Sequence, residues 1–279
     1  MKYYNKKFNE GENILKEKTL KDDESKNIEI NKSKYLKYPS KGKLIVVTDL
    51  HGNLNDYKEY LAKWDSEDPD CYILFTGDLI HAYKKEDKSI EILEDVMEKS
   101  EKYDNFNVLL GNHEWSHVSN TTIQKGKTYP KEAFKDLIQI HFGTLSPLNR
   151  YINFFREMPI IAKTNNGIFI SHAGPYWQIK SEESLEKIIN SQNFHSKELK
   201  GFLWNRYNRV LIKNIDRFLD TVNCKAMVVG HTAVEGIRIH GNQLVLSSSF
   251  QTEKKAYLEI DLNKKIESIK DLEKMVKYL

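Results

Sequence analysis

Side chains that could bind metal recur in this sequence wherever a short apolar run ends. They carry carboxylate, imidazole or amide groups: Asp49, His51, Asp78, Asn112, His113, His172 and His231. Such polar groups at the end of a buried strand are costly unless something pairs with them. Carboxylate, imidazole and amide oxygen together suit Mn, Fe, Zn or Ni, and a set without thiolates argues against a structural zinc site. The set therefore predicts a metal centre.

The spacing within the set carries further information. Asp49 and His51 lie two residues apart in "VVTDLHGN", so on an extended segment they face the same side and can bind one ion. His113 directly follows Asn112, so their side chains should point in different directions. Each short motif alone is also typical of a loop, a helix cap or a core histidine. The succession of all of them at strand ends carries the prediction.

The elements that position these residues follow from the apolar pattern. Helices are predicted over 54–64 and 88–103, and residues 115–160 are predicted to contain helices and loops without strands. A last helix over 265–279 is predicted to cover the sheet. Strands are predicted within the segments 43–49, 71–78, 106–114, 167–174, 224–232, 242–249 and 255–262.

Strands that alternate with helices are typical of βαβ units and a largely parallel sheet. In open α/β sheets, ligands bind beyond the carboxyl ends of the strands, so we expect the polar residues to converge on one crevice. The pattern favours one α/β domain of two sheets over residues 42–279. Residues 1–41 are rich in Lys, Glu and Asn, and we interpret them as a peripheral, solvated arm with one marginal helix.

Composition bounds the class of protein. The chain has 279 residues, with 43 Lys and Arg against 40 Asp and Glu, so its charge implies neither a nucleic-acid nor a membrane partner. Cys71 and Cys224 lie in apolar runs, which predicts buried free thiols in a reducing compartment. The sequence shows no apolar leader and no apolar run of membrane length. We expect a soluble, cytoplasmic protein.

The motifs "DLHG", "GD", "GNHE", "SHAG" and "GHT", in that order, resemble those of the calcineurin-type metallophosphoesterases. The most similar branch contains the serine/threonine phosphoprotein phosphatases and their bacterial relatives, including diadenosine-tetraphosphate hydrolases. The resemblance covers residues 43–250. Ala233 stands where wider groups of the family often have a second histidine, which favours the phosphoprotein-phosphatase branch.

The resemblance implies a four-layered α/β/β/α sandwich that binds two divalent ions, with manganese as the first choice and Fe, Zn or Ni as alternatives. It implies that Asp49, His51 and Asp78 hold one ion, and that the carboxylate of Asp78 also binds the second. The second ion would be completed by a further set: Asn112, His172 and His231. The implied reaction is direct attack on phosphorus by a metal-bound hydroxide, with His113 as the general acid. Glu114 is expected to support the site rather than to react.

The sequence departs from the family pattern Gly-Asp-x-x-Asp-Arg-Gly, because it reads "GDLIHAY". His81 replaces the aspartate that orients the catalytic histidine, Ala82 replaces a phosphate-binding arginine, and Tyr83 replaces the glycine. Losing a guanidinium removes a bidentate phosphate contact that a lysine does not reproduce, although Lys84 or Lys85 could supply charge there. 

The segment "LWNRYNR" (203–209) resembles a tryptophan-containing segment that carries another phosphate-contacting arginine in the bacterial members. The resemblance implies this role for Arg206, with Arg209 as an alternative.

Three functions follow from these observations. The first is hydrolysis of phosphate monoesters, in the manner of a phosphoprotein phosphatase. The second is hydrolysis of a nucleotide polyphosphate, a phosphodiester or an RNA end, for which the missing arginine matters less. The third is a metal-binding pseudoenzyme that serves as an interaction module, which the complete ligand set and His113 argue against. The partner is expected to be a phosphorylated substrate, and the lack of a basic, aromatic strip counts against nucleic acid.

Overall fold

A computed structural model describes residues 33–82, 86–124, 129–250 and 252–279. The strands in these ranges are β1 (Tyr35–Tyr38), β2 (Lys43–Val47), β3 (Cys71–Phe75), β4 (Phe106–Val108), β5 (Ile161–Thr164), β6 (Ile168–Ser171), β7 (Ala226–Val229), β8 (Ile237–His240), β9 (Gln243–Leu246), β10 (Ala256–Asp261) and β11 (Val276–Tyr278). The α-helices are α1 (Leu54–Leu61), α2 (Ser89–Lys102), α3 (Asn112–Val118), α4 (Pro130–Phe142), α5 (Pro147–Glu157), α6 (Glu182–Asn190), α7 (Lys197–Trp204), α8 (Ile212–Thr221) and α9 (Ile269–Glu273). None of the helices in these ranges is long and apolar enough to cross a membrane.

The strands form two sheets. One has the order β11-β10-β2-β3-β4, and the other has the order β1-β5-β6-β7-β9-β8. In the first sheet β2, β3 and β4 are parallel neighbours, with Val47 opposite Phe75 and Phe75 opposite Val108. In the second sheet β6 and β7 are also parallel. The carboxyl ends of the strands that precede the polar motifs therefore lie together within each sheet.

Alternating side chains of the strands build the layers. Leu44 and Val46 of β2 pack with Ile170 of β6 and Val228 of β7 in a core between the two sheets. The intervening positions face helices instead, because successive strand residues point to opposite faces. Helices cover both outer faces, which completes the predicted α/β/β/α sandwich.

Ring contacts mark the two outer layers. In one, Tyr57 of α1 lies 5.4 Å from Phe75 of β3, measured between ring centroids. In the other, Phe169 of β6 lies 4.9 Å from Phe218 of α8. These aromatic contacts join a helix to each sheet on the face away from the inter-sheet core.

Both cysteines are buried free thiols, as predicted, and the described part of 115–160 contains helices without strands. Of the helix predicted over 265–279, only Ile269–Glu273 is helical, so the prediction is wrong at both ends. A capping box of Ser268 and Asp271 starts α9, which ends at Glu273, and β11 then pairs with the edge strand β10. The "MVKYL" end has β-branched and aromatic residues that suit such an edge.

The predicted arm also needs a correction at its end. Residues 35–38 form β1, which runs parallel to β5 at the edge of the six-stranded sheet. Tyr35 and Tyr38 are 2% and 4% exposed, while Lys37 between them is exposed, so "YLKY" buries its two aromatic ends. The rest of the arm, with its marginal helix, lies outside the described residues. The domain boundary stays a prediction.

Truncation of Ile170 tests the inter-sheet core. Ile170→Ala leaves a cavity between two sheets that cannot easily collapse, so we expect the free energy of unfolding to fall by about 2–5 kcal/mol. Ile140→Ala is the control, since Ile140 is 82% exposed and should change stability little. Urea denaturation of both variants measures the difference. Equal, small effects would contradict the packing described.

Candidate metal centre

The polar residues that follow β2, β3, β4, β6 and β7 converge where the two sheets meet. Two come after β2, one after β3, two at the start of α3 beyond β4, and one each after β6 and β7. Their side chains are buried or nearly so: Asp49, His51, Asp78, Asn112, His113, His172 and His231. The crevice predicted from strand ends is therefore present, and it draws residues from both sheets.

Unusual backbone angles aim several of these side chains. Asp49 and His51 both have φ of 47°, Asp78 has φ of 54° and His231 has φ of 63°. Non-glycine residues adopt such left-handed conformations uncommonly, and they do so mostly at functional sites. Each turn redirects the chain directly after its strand. The fold thus holds strained residues at the strand ends where the ligand groups are needed.

The Asp78 carboxylate lies at the centre of the cluster. Its Oδ2 is 3.6 Å from Nε2 of His51, 3.9 Å from Nε2 of His113 and 3.5 Å from Nε2 of His172. Atoms that bind one ion at about 2.0–2.2 Å lie roughly 3 to 3.5 Å apart. In the described part of the chain, Asp78 belongs to two sets of possible metal ligands, one with His51 and His113 and one with His172 and His231.

The second set gains an amide oxygen. Oδ1 of Asn112 lies 2.9 Å from Nε2 of His172, which lies 3.2 Å from Nδ1 of His231. The other ring nitrogen of His231, Nε2, is buried and has no hydrogen-bond partner among the described residues. Asn112, His172 and His231 are thus brought together with Asp78, in the combination that the family resemblance implies for the second ion.

Asp49 lies beside these sets rather than within them. Both oxygens of its carboxylate accept the backbone N–H of His231, at 3.0 and 2.9 Å. A Cβ on Gly230 would come within 2.1 Å of Oδ2, so a glycine is needed there. Burial raises the pKa of Asp49 to about 7, against the pull of His172. Its role as a ligand of the first ion stays a prediction.

Two of the histidine rings are oriented by hydrogen bonds from Nδ1 to backbone carbonyls. Nδ1 of His51 donates to the carbonyl oxygen of Ile80 at 3.1 Å, and Nδ1 of His172 donates to that of Thr76 at 3.0 Å. A proton on Nδ1 leaves the lone pair of Nε2 directed at the Asp78 carboxylate. Protein-bound metals commonly use histidines fixed in this way.

Glu114 supports the loop that carries Asp78. Its two oxygens accept the backbone N–H groups of Asp78 at 2.9 Å, Leu79 at 2.8 Å and Ile80 at 3.3 Å. The Glu114 side chain is fully buried. It forms no ion pair with a lysine or arginine in the described ranges. Glu114 therefore holds the backbone of the β3 loop, in keeping with its expected supporting role.

The donor set fits divalent metal ions. It combines imidazole nitrogens, carboxylate oxygens and one amide oxygen, which Mn, Fe, Zn and Ni all accept, so it does not distinguish among these metals. Burying carboxylates and imidazoles this close together costs free energy, and cations bound between them would offset that cost. The cluster is therefore a candidate dinuclear metal centre.

His81 and His117 extend the cluster. The place of His81 beside His113 follows from the family pattern, whereas its contact with His117 was not predicted. Nδ1 of His81 is 2.7 Å from Nδ1 of His113, and Nε2 of His81 is 2.9 Å from Nε2 of His117. One available signal was the spacing of His113 and His117, since residues four apart share a helix face. The position of His81 between them depends on the tertiary contact of the β3 loop with α3.

The two candidate arginines differ in placement. Nη1 of Arg206 donates to the carbonyl oxygen of His231 at 3.2 Å and to Oγ1 of Thr232 at 3.3 Å, so the exposed guanidinium lies at the rim of the cluster. Arg209 lies in the turn Tyr207–Arg209 and is exposed. No side-chain hydrogen bond joins Arg209 to the cluster in the ranges that the structure covers. Tyr83, Lys84 and Lys85 lie outside the described residues.

An aromatic cavity of about 640 Å³ is separated from the cluster by one of its lining rings, that of Trp204. The ring of Trp204, which lines it, lies 5.7 Å from the ring of His231. The cavity is also lined by Tyr176 and Trp177 and by the ammonium-bearing Lys197 and Lys200. Its volume lies in the range of about 300–1,000 Å³ that small-molecule sites occupy.

Comparisons with known proteins agree with the motifs. A family model described as calcineurin-like phosphoesterase matches residues 42–235. A relative from Encephalitozoon cuniculi, named "Probable serine/threonine-protein phosphatase", is 26% identical over 221 residues, which are 72% of this chain and 45% of that protein. The chain thus spans less than half the length of this curated relative.

Solved structures show the same fold. A protein serine/threonine phosphatase from Saccharomyces cerevisiae has a TM-score of 0.68 and 16% identity, covering 82% of this chain and 77% of that one. A cold-active protein-tyrosine phosphatase from a Shewanella species has a TM-score of 0.58 and 18% identity, covering 82% and 79%. These likenesses confirm the metallophosphoesterase sandwich that the resemblance implied.

Replacement of Glu114 tests the support of the Asp78 loop. Glu114→Gln turns an amide N–H₂ toward backbone donors that now lack an acceptor, so we expect stability to fall by about 2–3 kcal/mol. The affinity for added manganese should fall as well, because Asp78 is displaced. Denaturation and metal titration measure both effects, with the exposed Glu183→Gln as the control. Unchanged metal affinity would show that the loop holds its position without Glu114.

Proposed function

Because this chain belongs to the calcineurin-like phosphoesterase family, we propose that it is a dinuclear metal-dependent hydrolase of phosphate monoesters. The observation that carries the proposal is the Asp78 carboxylate, which two sets of possible ligands share at the crevice between the sheets. Of the metals that the donor set accepts, we propose manganese first. The ions would be held by two groups of residues: Asp49, His51 and Asp78, and Asp78, Asn112, His172 and His231.

Two divalent ions, when bound, supply a water nucleophile with a lowered pKa and neutralise charge on the phosphoryl group. The remaining steps belong to the side chains. The backbone N–H of His113 donates to Oδ1 of Asp78 at 3.0 Å, and the ring nitrogen Nε2 of His113 lies 3.9 Å from Oδ2 of the same carboxylate. His113 is proposed to donate a proton from Nε2 to the leaving-group oxygen, since His81 occupies its Nδ1. 

Arg206 is proposed to bind a phosphoryl oxygen from the rim of the centre. Its guanidinium is anchored by the carbonyl of His231 and the hydroxyl of Thr232, which use Nη1 and leave other donors of the fork for an anion. Ala82, which stands where the family pattern has an arginine, offers no side-chain donor. The site therefore has a weaker phosphate grip than the family pattern with its second arginine.

A second candidate function is the hydrolysis of a nucleotide polyphosphate. The cavity beside His231 favours it, because tryptophan and tyrosine rings stack on planar bases and the lysines suit additional phosphates. Under this alternative the nucleoside lies against Tyr176, Trp177 and Trp204 while the scissile phosphate lies at the ions. A phosphodiester or an RNA end would use the same chemistry.

Substrate comparison tests the proposal. The full chain is stripped of metal, reloaded with manganese and assayed with para-nitrophenyl phosphate, its diester counterpart bis(para-nitrophenyl) phosphate, and a dinucleoside polyphosphate. Rapid turnover of the monoester supports the first function, whereas preference for the dinucleoside polyphosphate supports the second. Absence of turnover on all three, with two ions bound, would contradict both.

Removal of His113 tests its role. We expect His113→Ala to lower kcat by about 10²- to 10⁴-fold, the usual contribution of general acid catalysis, while both ions remain bound. His195→Ala, at an exposed position, is the control. Steady-state kinetics and metal analysis are made on the same preparations. Loss of an ion in His113→Ala would instead identify His113 as a ligand of the first ion, as its place in the set with His51 permits.

Removal of Arg206 tests the phosphate contact. A hydrogen bond to a charged group contributes about 1.5–3 kcal/mol, so we expect Arg206→Ala to lower kcat/KM by about 10- to 100-fold. Arg206→Lys should restore only part of this loss, because an ammonium lacks the planar fork. Arg209→Ala is the matched control. Equal losses in the two alanine variants would contradict the placement of Arg206.

A further inference from the structure

Three imidazole rings form a hydrogen-bonded chain that leads away from the proposed metal centre. His81 stands in the middle, with Nδ1 at 2.7 Å from Nδ1 of His113 and Nε2 at 2.9 Å from Nε2 of His117. The three side chains are buried, with His81 2% exposed, His113 6% and His117 5%. We call these residues, His113, His81 and His117, the imidazole chain.

The chain can exist in two orders of donors and acceptors. Each bond between two ring nitrogens needs one N–H and one lone pair, and a neutral imidazole supplies one of each. In the first order His117 donates from Nε2 to His81, and His81 donates from Nδ1 to His113. His113 then carries its own proton on Nε2. In the reverse order every proton moves to the other nitrogen, and Nε2 of His113 has a lone pair.

The surroundings favour the first order. Positive charge at the outer end of the chain, from Lys131 and Lys135, repels protons and so favours the order in which the protons lie toward His113. No acidic side chain forms an ion pair with His81 or His117 in the ranges that the structure describes. A carboxylate there would have drawn protons to the far side of the chain.

The outer end of the chain is suited to a neutral ring. Burial lowers the pKa of His117 to about 3, and the ammonium groups of Lys131 and Lys135 add to this effect. Lys131 is held in place by Oδ1 of Asn120 at 3.0 Å. His117 can therefore offer one N–H to His81 without becoming a cation.

The backbone keeps His81 in line with its neighbours. Its φ of 69° is left-handed, and its N–H donates to Oγ of Ser89 at 3.1 Å. The hydroxyl of Ser89 is itself bound to the carboxylate of Asp87, which also accepts the backbone N–H of Ala82 at 3.2 Å. These bonds hold the backbone of His81 and Ala82, the two positions at which the family's Asp-Arg pair is replaced.

We propose that His81 and His117 are positioning residues that select the tautomer of His113 with its proton on Nε2, the atom directed at the leaving group. This inference rests on the proposed function of His113 as the general acid. An aspartate at position 81 accepts hydrogen bonds only, so it would place a proton on Nδ1 of His113. A histidine backed by a second histidine does the opposite, because it donates to Nδ1.

Nitrogen NMR tests the tautomers without any need for activity. The full chain is labelled with ¹⁵N-histidine and loaded with zinc, which is diamagnetic, and long-range ¹H–¹⁵N correlations report which nitrogen of each ring carries the proton. We expect a proton on Nδ1 of His81 and on Nε2 of both His113 and His117. The reverse order would overturn the proposal and would indicate that Nε2 of His113 is a metal ligand.

Variants at position 117 test the effect on turnover. His117→Leu removes the donor at the end of the chain, so we expect the protonated Nε2 form of His113 to lose its preference and kcat to fall about tenfold, with KM and metal content unchanged. His117→Gln keeps an N–H₂ donor, so it should recover most of the tautomer preference and most of kcat. His141→Leu, at an exposed position, is the control.

The variants also separate the two levels of the account. A fall in kcat in His117→Leu that His117→Gln fails to recover, at equal melting temperatures, would show a packing role and would overturn the proposal. So would an unchanged tautomer in His117→Leu. Absence of phosphoesterase activity in the unmodified chain would overturn the proposed function, while the NMR result would still decide the tautomers.

Discussion

The position of the Asp78 carboxylate is the constraint on which the site depends. Asp78 lies in the loop after β3 and has a left-handed backbone, Glu114 accepts its N–H, and its own Oδ1 accepts the N–H of His113. Its Oδ2 then faces His51 and His172, which follow strands of different sheets. The two sheets must therefore pack at one separation and register for the ligand groups to meet, and the inter-sheet core supplies that packing.

Much of this arrangement could be predicted from local pattern. Asp49 and Asp78 follow apolar runs that form the neighbouring parallel strands β2 and β3, and the carboxyl ends of parallel strands meet, so the approach of these two residues needed no knowledge of loop structure. Short edge elements could not be predicted in this way. β1 and β11 have four and three residues, and their pairing depends on neighbours far along the chain. The contact of His81 with α3 likewise arises only when the β3 loop folds against that helix.

Charge suggests how the proposed phosphate site could work with one arginine fewer. Asp49 and Glu114 are buried without a lysine or arginine ion pair in the described ranges, and a phosphoester would add further negative charge. Divalent ions at the ligand sets would balance these groups and attract the substrate. In its proposed role, Arg206 at the rim would add direction as well as charge. The loop that carries Ala82 contributes His81, the middle ring of the imidazole chain, where the family pattern would supply a guanidinium.

The most direct test of this account is the number of metal ions that Asp78 organises. Isothermal titration of the metal-stripped chain with manganese should show two ions per molecule. Asp78→Asn should weaken both sites, because the carboxylate belongs to both ligand sets, while the exposed Asp65→Asn should bind as the unmodified chain does. Two sites of unchanged affinity in Asp78→Asn, or fewer than two in the unmodified chain, would contradict a shared carboxylate at the centre of the fold.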